Sequence, residues 1–226
     1  MTEMRLNVLS FPDFNLRLID ADSPSDVGSI NDSRYVRVDI PSRSCNIAEM
    51  SVKGFIFADR TIGVSIPLNK SQMDYNRLVR FEMRNANKTD EDDILEIALR
   101  SFPSDRRFHV GVVPDMKVAA PIIRQWISNL TEPYVCVHKS KVVGFIDIEP
   151  YRDKDCFIHL AAVEEKYRAV GAAVSLYAHA IKVAKDKGCE KIHGRISSTN
   201  TAVMNLYARL GAVFSEPHDI FVRNEV

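Results

Sequence analysis

Between residues 134 and 187 three strand-like runs with short links lead straight into a helix, and this order constrains the fold more than any other feature of the chain. Tyr134–His138 and Lys141–Ile148 flank a short Lys-Ser turn, and Cys156–Val163 follows after YRDKD. Links this short leave no room for a crossover helix, so the spacing predicts an antiparallel meander. The third run passes through EEKYRAVG into a helix over 172–187, stopped by Gly188. Ala173, Leu176, Tyr177, Ala180, Val183 and Ala184 keep helical spacing along it. Lys191–Ile196 reads as a further strand, Asn200 as the cap of a shorter helix closed by Gly211, and 212–214 with 219–223 as a closing strand pair.

Upstream, Thr89–Asp90 opens an acidic, capped helix running to Arg100, and a second helix over Val118–Asn129 carries Trp126. Strands and helices interleave, which predicts an α/β (α+β) chain built on a mixed central sheet. Residues 1–75 show weaker periodicity. Tyr35–Ile40 alternates as a half-buried strand does, and FIFADRTIGVSIPL after Gly54 has room for two short strands. The polar stretch Asn69–Asn76 is the expected linker, so the reading is a smaller N-terminal partial α/β domain over 1–75 and a main domain over 76–226.

Several function classes fall away on composition. Lys plus Arg and Asp plus Glu both total 30, so the chain lacks the basic excess of a general nucleic-acid binder. No apolar run approaches the roughly 20 residues of a membrane helix, and the opening segment is too acidic for a secretory signal. A cytoplasmic protein with no nucleic-acid or membrane partner is expected. The four cysteines are scattered without a C-x-x-C pair and the six histidines form no H-E-x-x-H, so core packing in a reducing compartment is expected of the thiols, and no metal.

The chemistry concentrates in VEEKYRAVGAA, Val163–Ala173. A helix that starts just after a strand presents unpaired N–H groups and a positive dipole end, an arrangement that suits phosphate. Gly171 lets backbone approach a ligand, and Ala172 and Ala173 keep the helix start open. Arg168 either adds charge there or braces the loop. A plain strand–helix corner is the alternative.

That segment resembles the acetyl-CoA signature of the GNAT acetyltransferases, R/Q-x-x-G-x-G/A, through Arg168, Gly171 and Ala173. STNTAVMNLYARLGAVF resembles the second signature of the same superfamily, with Asn200, Tyr207 and Gly211 matching. Ala169, Val170 and Ala212 depart from the usual residues. The resemblance implies the GNAT fold, acetyl-CoA as co-substrate and no metal. It implies cofactor contacts from Val163 through its backbone, from Arg168, Ala169, Val170, Gly171, Ala172 and Ala173, and from Asn200. A looser resemblance, SFPSDRRFHVGVVPDMKVAAPIIRQWISN with Gly54, Phe55 and Ile66–Asn69, is to acetyltransferases of the TDP-fucosamine group. It implies a nucleotide-linked amino-sugar acceptor and a homodimer.

Within the resemblance Tyr207 is the general acid, a phenol whose proton transfer is coupled to thiolate departure. The competing reading is packing beside Val203, Leu206 and Leu210. Asn200 contacts cofactor, caps its helix, or does both. His159, on the strand leading to the loop, is a candidate proton acceptor, against a structural histidine or a water relay. Glu164 and Glu165 read as solvated. Arg106, Arg107, Phe108 and Trp126 are the substrate candidates, since arginine suits diphosphate and an aromatic face suits a base or sugar ring; a surface arginine pair and an interface tryptophan are the alternative. Acetylation of a protein terminus or small amine, or a non-catalytic CoA-binding module, remain as other functions.

Overall fold

The computed structural model describes residues 7–11, 16–27, 35–69, 74–110, 113–152 and 154–224. In chain order these form β1 (Asn7–Phe11), β2 (Leu16–Asp20), β3 (Tyr35–Pro41), α1 (Ile47–Val52), β4 (Ile56–Pro67), β5 (Glu82–Asn85), α2 (Glu91–Ser101), β6 (His109–Val110) and β7 (Val113–Pro114). There follow α3 (Met116–Ser128), β8 (Pro133–His138), β9 (Lys141–Tyr151), β10 (Asp155–Val163), α4 (Glu165–Arg168), α5 (Ala172–Asp186), β11 (Lys191–Ser197), α6 (Thr201–Arg209) and β12 (Val213–Asn224). Apart from the β6–β7 ribbon, the strands join one sheet in the order β1-β2-β3-β12-β4-β11-β10-β9-β8-β5.

The meander read from the short links is present: β8–β9 and β9–β10 pair antiparallel. Strands are longer than the sequence suggests at two places. FIFADRTIGVSIPL yields the single strand β4, and the expected closing pair is one strand, β12, whose register shifts between Phe214 and Pro217. Ser215 and Glu216 together oppose Gly63 there, a bulge just ahead of Pro217, which has no N–H for the ladder. Residues on both sides of position 75 build the same sheet, and β4 lies near its middle between β12 and β11. Part of the expected linker, residues 70–73, lies outside the described residues.

Three apolar clusters hold the layers. α5 and α6 cover one face of the meander through Leu176, Ile181 and Leu206 against Ile146, Ile158 and Ile192. α2 and α3 cover the other through Ile94, Ile97 and Ile122 against Val135 and Phe145. Met50 of α1 seals Val36, Val38 and Ile40 of β3 and Phe221 of β12. The helix read to Arg100 begins at Asn87, where the Asn87 side chain and buried Asp90 form a capping box and Arg84 grips the Asp90 carboxylate. Among the described residues no helix is long and apolar enough to cross a membrane. Two cysteines depart from the expectation of isolated core thiols: Cys156 and Cys189 form a disulfide, with Cα atoms 6.4 Å apart. Folding brought together positions whose 33-residue separation carried no motif.

Asp219 of β12 is buried and takes Nε and Nη2 of Arg60 from β4 at 2.6 and 3.1 Å, and the Ser42 hydroxyl at 2.8 Å. Burial alone would raise its carboxyl, but the hydrogen bonds from Arg60 and Ser42 outweigh this and hold it below the usual carboxylate range. A depressed folded value means stability that is complete above the unfolded pKa, about 3.9, and lost as pH falls through the folded one. Asp219→Asn is therefore expected to lower unfolding free energy by about 2 kcal/mol at neutral pH. In denaturant titrations the gap from wild type should narrow below about pH 4.

Candidate active site

β10 and β11 run parallel but pair at only three positions, Asp155–Lys191, Cys156–Ile192 and Phe157–His193. Beyond them each strand follows its other neighbour. β11 stays in register with β4 as far as Ser197–Thr61, while β10 stays on β9 and gains a residue between Ile158 and Ala161. The two strands part as a fork. A cavity of about 520 Å³ occupies it, lined by Ala161–Val163 of β10, by Ala173, Val174, Leu176 and Tyr177 of α5, and by α6 with its cap Asn200.

One end of this cavity is built for an anion. Gly171 caps α5 with φ of 94°, a left-handed conformation that L side chains rarely adopt, and a methyl group there would meet nothing within 4 Å. Glycine is needed for the backbone turn, and the space above it is open. No side chain caps α5 and its first turn holds no acid, so its leading N–H groups and positive dipole end stay available. Arg168 lines the cavity and braces it, its Nε donating to the Val163 carbonyl at 2.9 Å and its Nη2 to the Ser101 hydroxyl at 3.3 Å. A second cleft of about 610 Å³ shares Ser101 and Arg168 and adds Arg100, Lys141 and Lys166. Glu164 pairs with both lysines, at 3.0 and 3.2 Å, and although burial opposes it, their hydrogen bonds hold its carboxyl low. It is an ion-paired residue rather than the solvated one expected.

Ala172 is buried at the start of α5, Ala173 lines the cavity, and Val170 is exposed; Ala169, Val170, Gly171 and Ala172 are not part of the lining. Asn200 accepts from the Val203 N–H at 3.2 Å, so its capping role is present while its side chain faces the cavity. Ser101, Phe102 and Arg209 line it too, without any signal in the sequence.

Tyr207 is 1% exposed, with its ring edge-on to Tyr177 at 5.2 Å and its hydroxyl hydrogen-bonded to that phenol. Tyr177 is the one of the pair that lines the cavity. The Tyr207 hydroxyl lies against Gly194, the first residue of β11 past the last β10 pair, where an added Cβ would sit 2.7 Å from it. It thus stands at the apex of the fork. Burial pushes the Tyr177 phenol up to about 12 and Tyr207 well above the ordinary value near 10, the latter helped by Tyr177. Both protons are in place at neutral pH.

On the opposite face the same strands present Asp147, Glu149 and Tyr151 from β9, Asp155, Phe157 and His159 from β10, and His193 and Arg195 from β11. Tyr151 stacks at 5.5 Å from Phe157 and 5.2 Å from His193, whose Nε2 is 2.7 Å from Asp155. His159 sits in the β10 bulge with Nδ1 3.6 Å from Asp147 Oδ2. Donor atoms of Asp147, Glu149 and His159 lie within 4.8 Å of one another, so this set could hold a cation, which the sequence spacing did not suggest. Fold pairing of β9 with β10 creates the cluster, and no local motif announces it.

The four substrate candidates are not brought together at the cavity. Phe108 is 1% exposed and packs at 5.5 Å from the half-buried Trp126, which also meets Phe102 at 6.0 Å; of these three rings only Phe102 lines the cavity. Arg107 is committed to Asp105, its Nε 2.9 Å from both carboxylate oxygens. Arg106 is exposed.

The sequence model described as the acetyltransferase (GNAT) family matches residues 92–212. An uncharacterized N-acetyltransferase of Methanocaldococcus jannaschii is 26% identical over 147 residues, which is 61% of this chain and 62% of that protein, so the match spans about three fifths of the relative's length. A Staphylococcus epidermidis protein of unknown function superposes over 100% of this chain and 96% of its own, with a TM-score of 0.70 at 14% identity. The glucosamine N-acetyltransferase region of a fungal multi-domain β-N-acetylglucosaminidase covers 96% of this chain and 31% of that one, with a TM-score of 0.64 at 10% identity. Identities this low show a shared fold.

Gly194 gives a direct check on the fork. A methyl group there meets the Tyr207 hydroxyl at 2.7 Å and Val64 Cγ2 at 3.3 Å, and Tyr207 has no free space to retreat into. Gly194→Ala is expected to cost about 1–3 kcal/mol of stability in thermal melts by overpacking. It should also shift the near-ultraviolet signal of the buried tyrosines.

Proposed function

The chain belongs to the acetyltransferase (GNAT) family, and from that premise we propose that it is an N-acetyltransferase acting on a nucleotide-linked amino-sugar, a dTDP-4-amino-4,6-dideoxyhexose being the first choice. The observation that carries the reading is the fork. An anion-ready cavity opens on one side of the parted strands, and a polar, aromatic face lies on the other. Members of the family use acetyl-CoA, which supplies the acetyl group as a thioester. The residues present fit it: the left-handed Gly171, the uncapped start of α5 and the Arg168 brace suit a pyrophosphate, and the cavity between β10 and α6 suits an extended arm.

Each residue then has a task. Val163 and its neighbours on β10 supply edge backbone, and Arg168 keeps the strand end in place by holding the Val163 carbonyl. Tyr207, protonated at the apex, is the general acid that donates toward the departing sulfur and regains a proton from the nitrogen becoming the amide. Its high pKa makes it a weak donor in isolation, so the transfer must be concerted with bond cleavage. His159 is the base on the acceptor face. Tyr151, Phe157 and His193 form an aromatic wall suited to a sugar ring, and Arg195, hydrogen-bonded to Thr61 at 3.2 Å, offers a cation to a phosphate. A small free amine is the second reading, favoured by the acidic pair Asp147 and Glu149 on that face.

Thiol release from acetyl-CoA, measured against dTDP-4-amino-sugars, their UDP counterparts and free amines, tests the proposal. Saturable turnover confined to the nucleotide-sugars is expected. Turnover on free amines alone selects the second reading, and binding without turnover on any acceptor leaves a CoA-binding module. Tyr207→Phe should retain acetyl-CoA binding and lose on the order of 10²-fold in kcat. Full activity in that variant would remove the acid assignment.

A further inference from the structure

Among the described residues, two buried polar atoms on the acceptor face lack hydrogen-bond partners, and they face each other: Asp147 Oδ2 and His159 Nδ1, 3.6 Å apart. Asp147 is 0% exposed, and its other oxygen is fixed by the Thr131 and Glu132 N–H groups at 3.2 and 2.8 Å. A carboxylate so placed cannot touch an acceptor, and its free oxygen has nowhere to go but the imidazole. Leaving such a group unpaired in the interior costs about 1–3 kcal/mol, so closing the last fraction of an ångström is favoured.

The strand geometry explains the meeting. Ile158 pairs with Ile148 and Ala161 with Ile146, so His159 and Leu160 together oppose the single residue Asp147. The unshifted register up to Ile158–Ile148 carries His159 onto the face of Asp147, before the ladder slips by one residue at Ala161. It does so two residues beyond the last β10–β11 pair, at the mouth of the fork.

We infer that Asp147 is a positioning residue that holds His159 in the Nδ1–H tautomer, leaving Nε2 as the proton acceptor for the incoming amine. The inference rests on the acetyl-transfer reading and adds to it the residue that sets the base. Nε2 takes one proton from the acceptor ammonium and passes it to water, which frees the nitrogen lone pair for attack. Nδ1–H donates to Asp147 throughout and moves no proton. The other charged groups facing His159 are Glu149 on β9, Asp155 with His193 beside the last pair, and Arg195 across the fork. All of them remain in the variants below.

Nitrogen-15 spectra of histidine in the full chain, without acetyl-CoA, test this, with His159→Gln identifying the resonance among the six histidines. The neutral ring is expected to carry its proton on Nδ1 and to have a bare Nε2. In Asp147→Asn the ring is expected to lose its preference for the Nδ1–H tautomer, with the Nε2–H form becoming populated. kcat should drop about tenfold or more in that variant, with KM for acetyl-CoA unchanged. A wild-type ring protonated on Nε2 overturns the inference without need of any variant, as does a tautomer balance that Asp147→Asn does not change. Titration with zinc or manganese supplies a further outcome: micromolar or tighter binding through His159 would make the cluster a cation site and overturn the dyad. If the tautomer is as stated but no acceptor turns over, the dyad stands and the acetyl-transfer reading is what fails.

Discussion

The structure hangs on the parting of two parallel strands. β10 and β11 pair for three residues and then separate, because β11 is committed to β4 and β10 to a bulged ladder with β9. Backbone groups along a sheet need partners, so a gap in the middle of a sheet is costly unless something else occupies it. Here α5 and α6 roof one side of the gap and leave a cavity, and Tyr207 plugs its apex against Gly194. The cavity and the polar, aromatic face are the two sides of this single defect.

Charge is distributed to match. The cavity end has an uncapped helix start and Arg168, with Lys141 and Lys166 beside it, while the opposite face carries Asp147, Glu149 and His159. The potential therefore differs in sign between the two sides of the fork, and the buried Asp147 between them is fixed through one oxygen by the Thr131 and Glu132 N–H groups. The N-terminal strands add the mass that closes the sheet: β3 and β4 bracket β12, and Asp219 bolts β12 to Arg60 and Ser42.

Backbone needs beside the cavity were legible where they act locally. Gly171 is needed for a left-handed cap, Ala173 for an open helix start and Asn200 for a cap, and each of those needs is visible within a few residues of chain. Aromatic and arginine residues gave a misleading signal. Phe108 and Trp126 suited a stacked ring equally well as ligand wall or as core; the fold buries Phe108 and leaves Trp126 half-buried against Phe102, away from the cavity lining. Arg107 looked free until Asp105, two residues away, took its Nε and Nη2 in the turn that leads to Phe108.

By itself the sequence determined the meander, the strand–loop–helix corner and the anion-ready start of α5, because short links, helical periodicity and a glycine cap act over a few residues. It could not determine what meets across strands. The union of His159 with Asp147, the contact of Tyr207 with Gly194, the Cys156–Cys189 link and the merging of residues before 75 into the same sheet all depend on register and strand order. Those are set by how the three apolar clusters pack. A shift of one residue in β10 would have turned His159 away from Asp147, and only the register of the folded sheet decides which way it points.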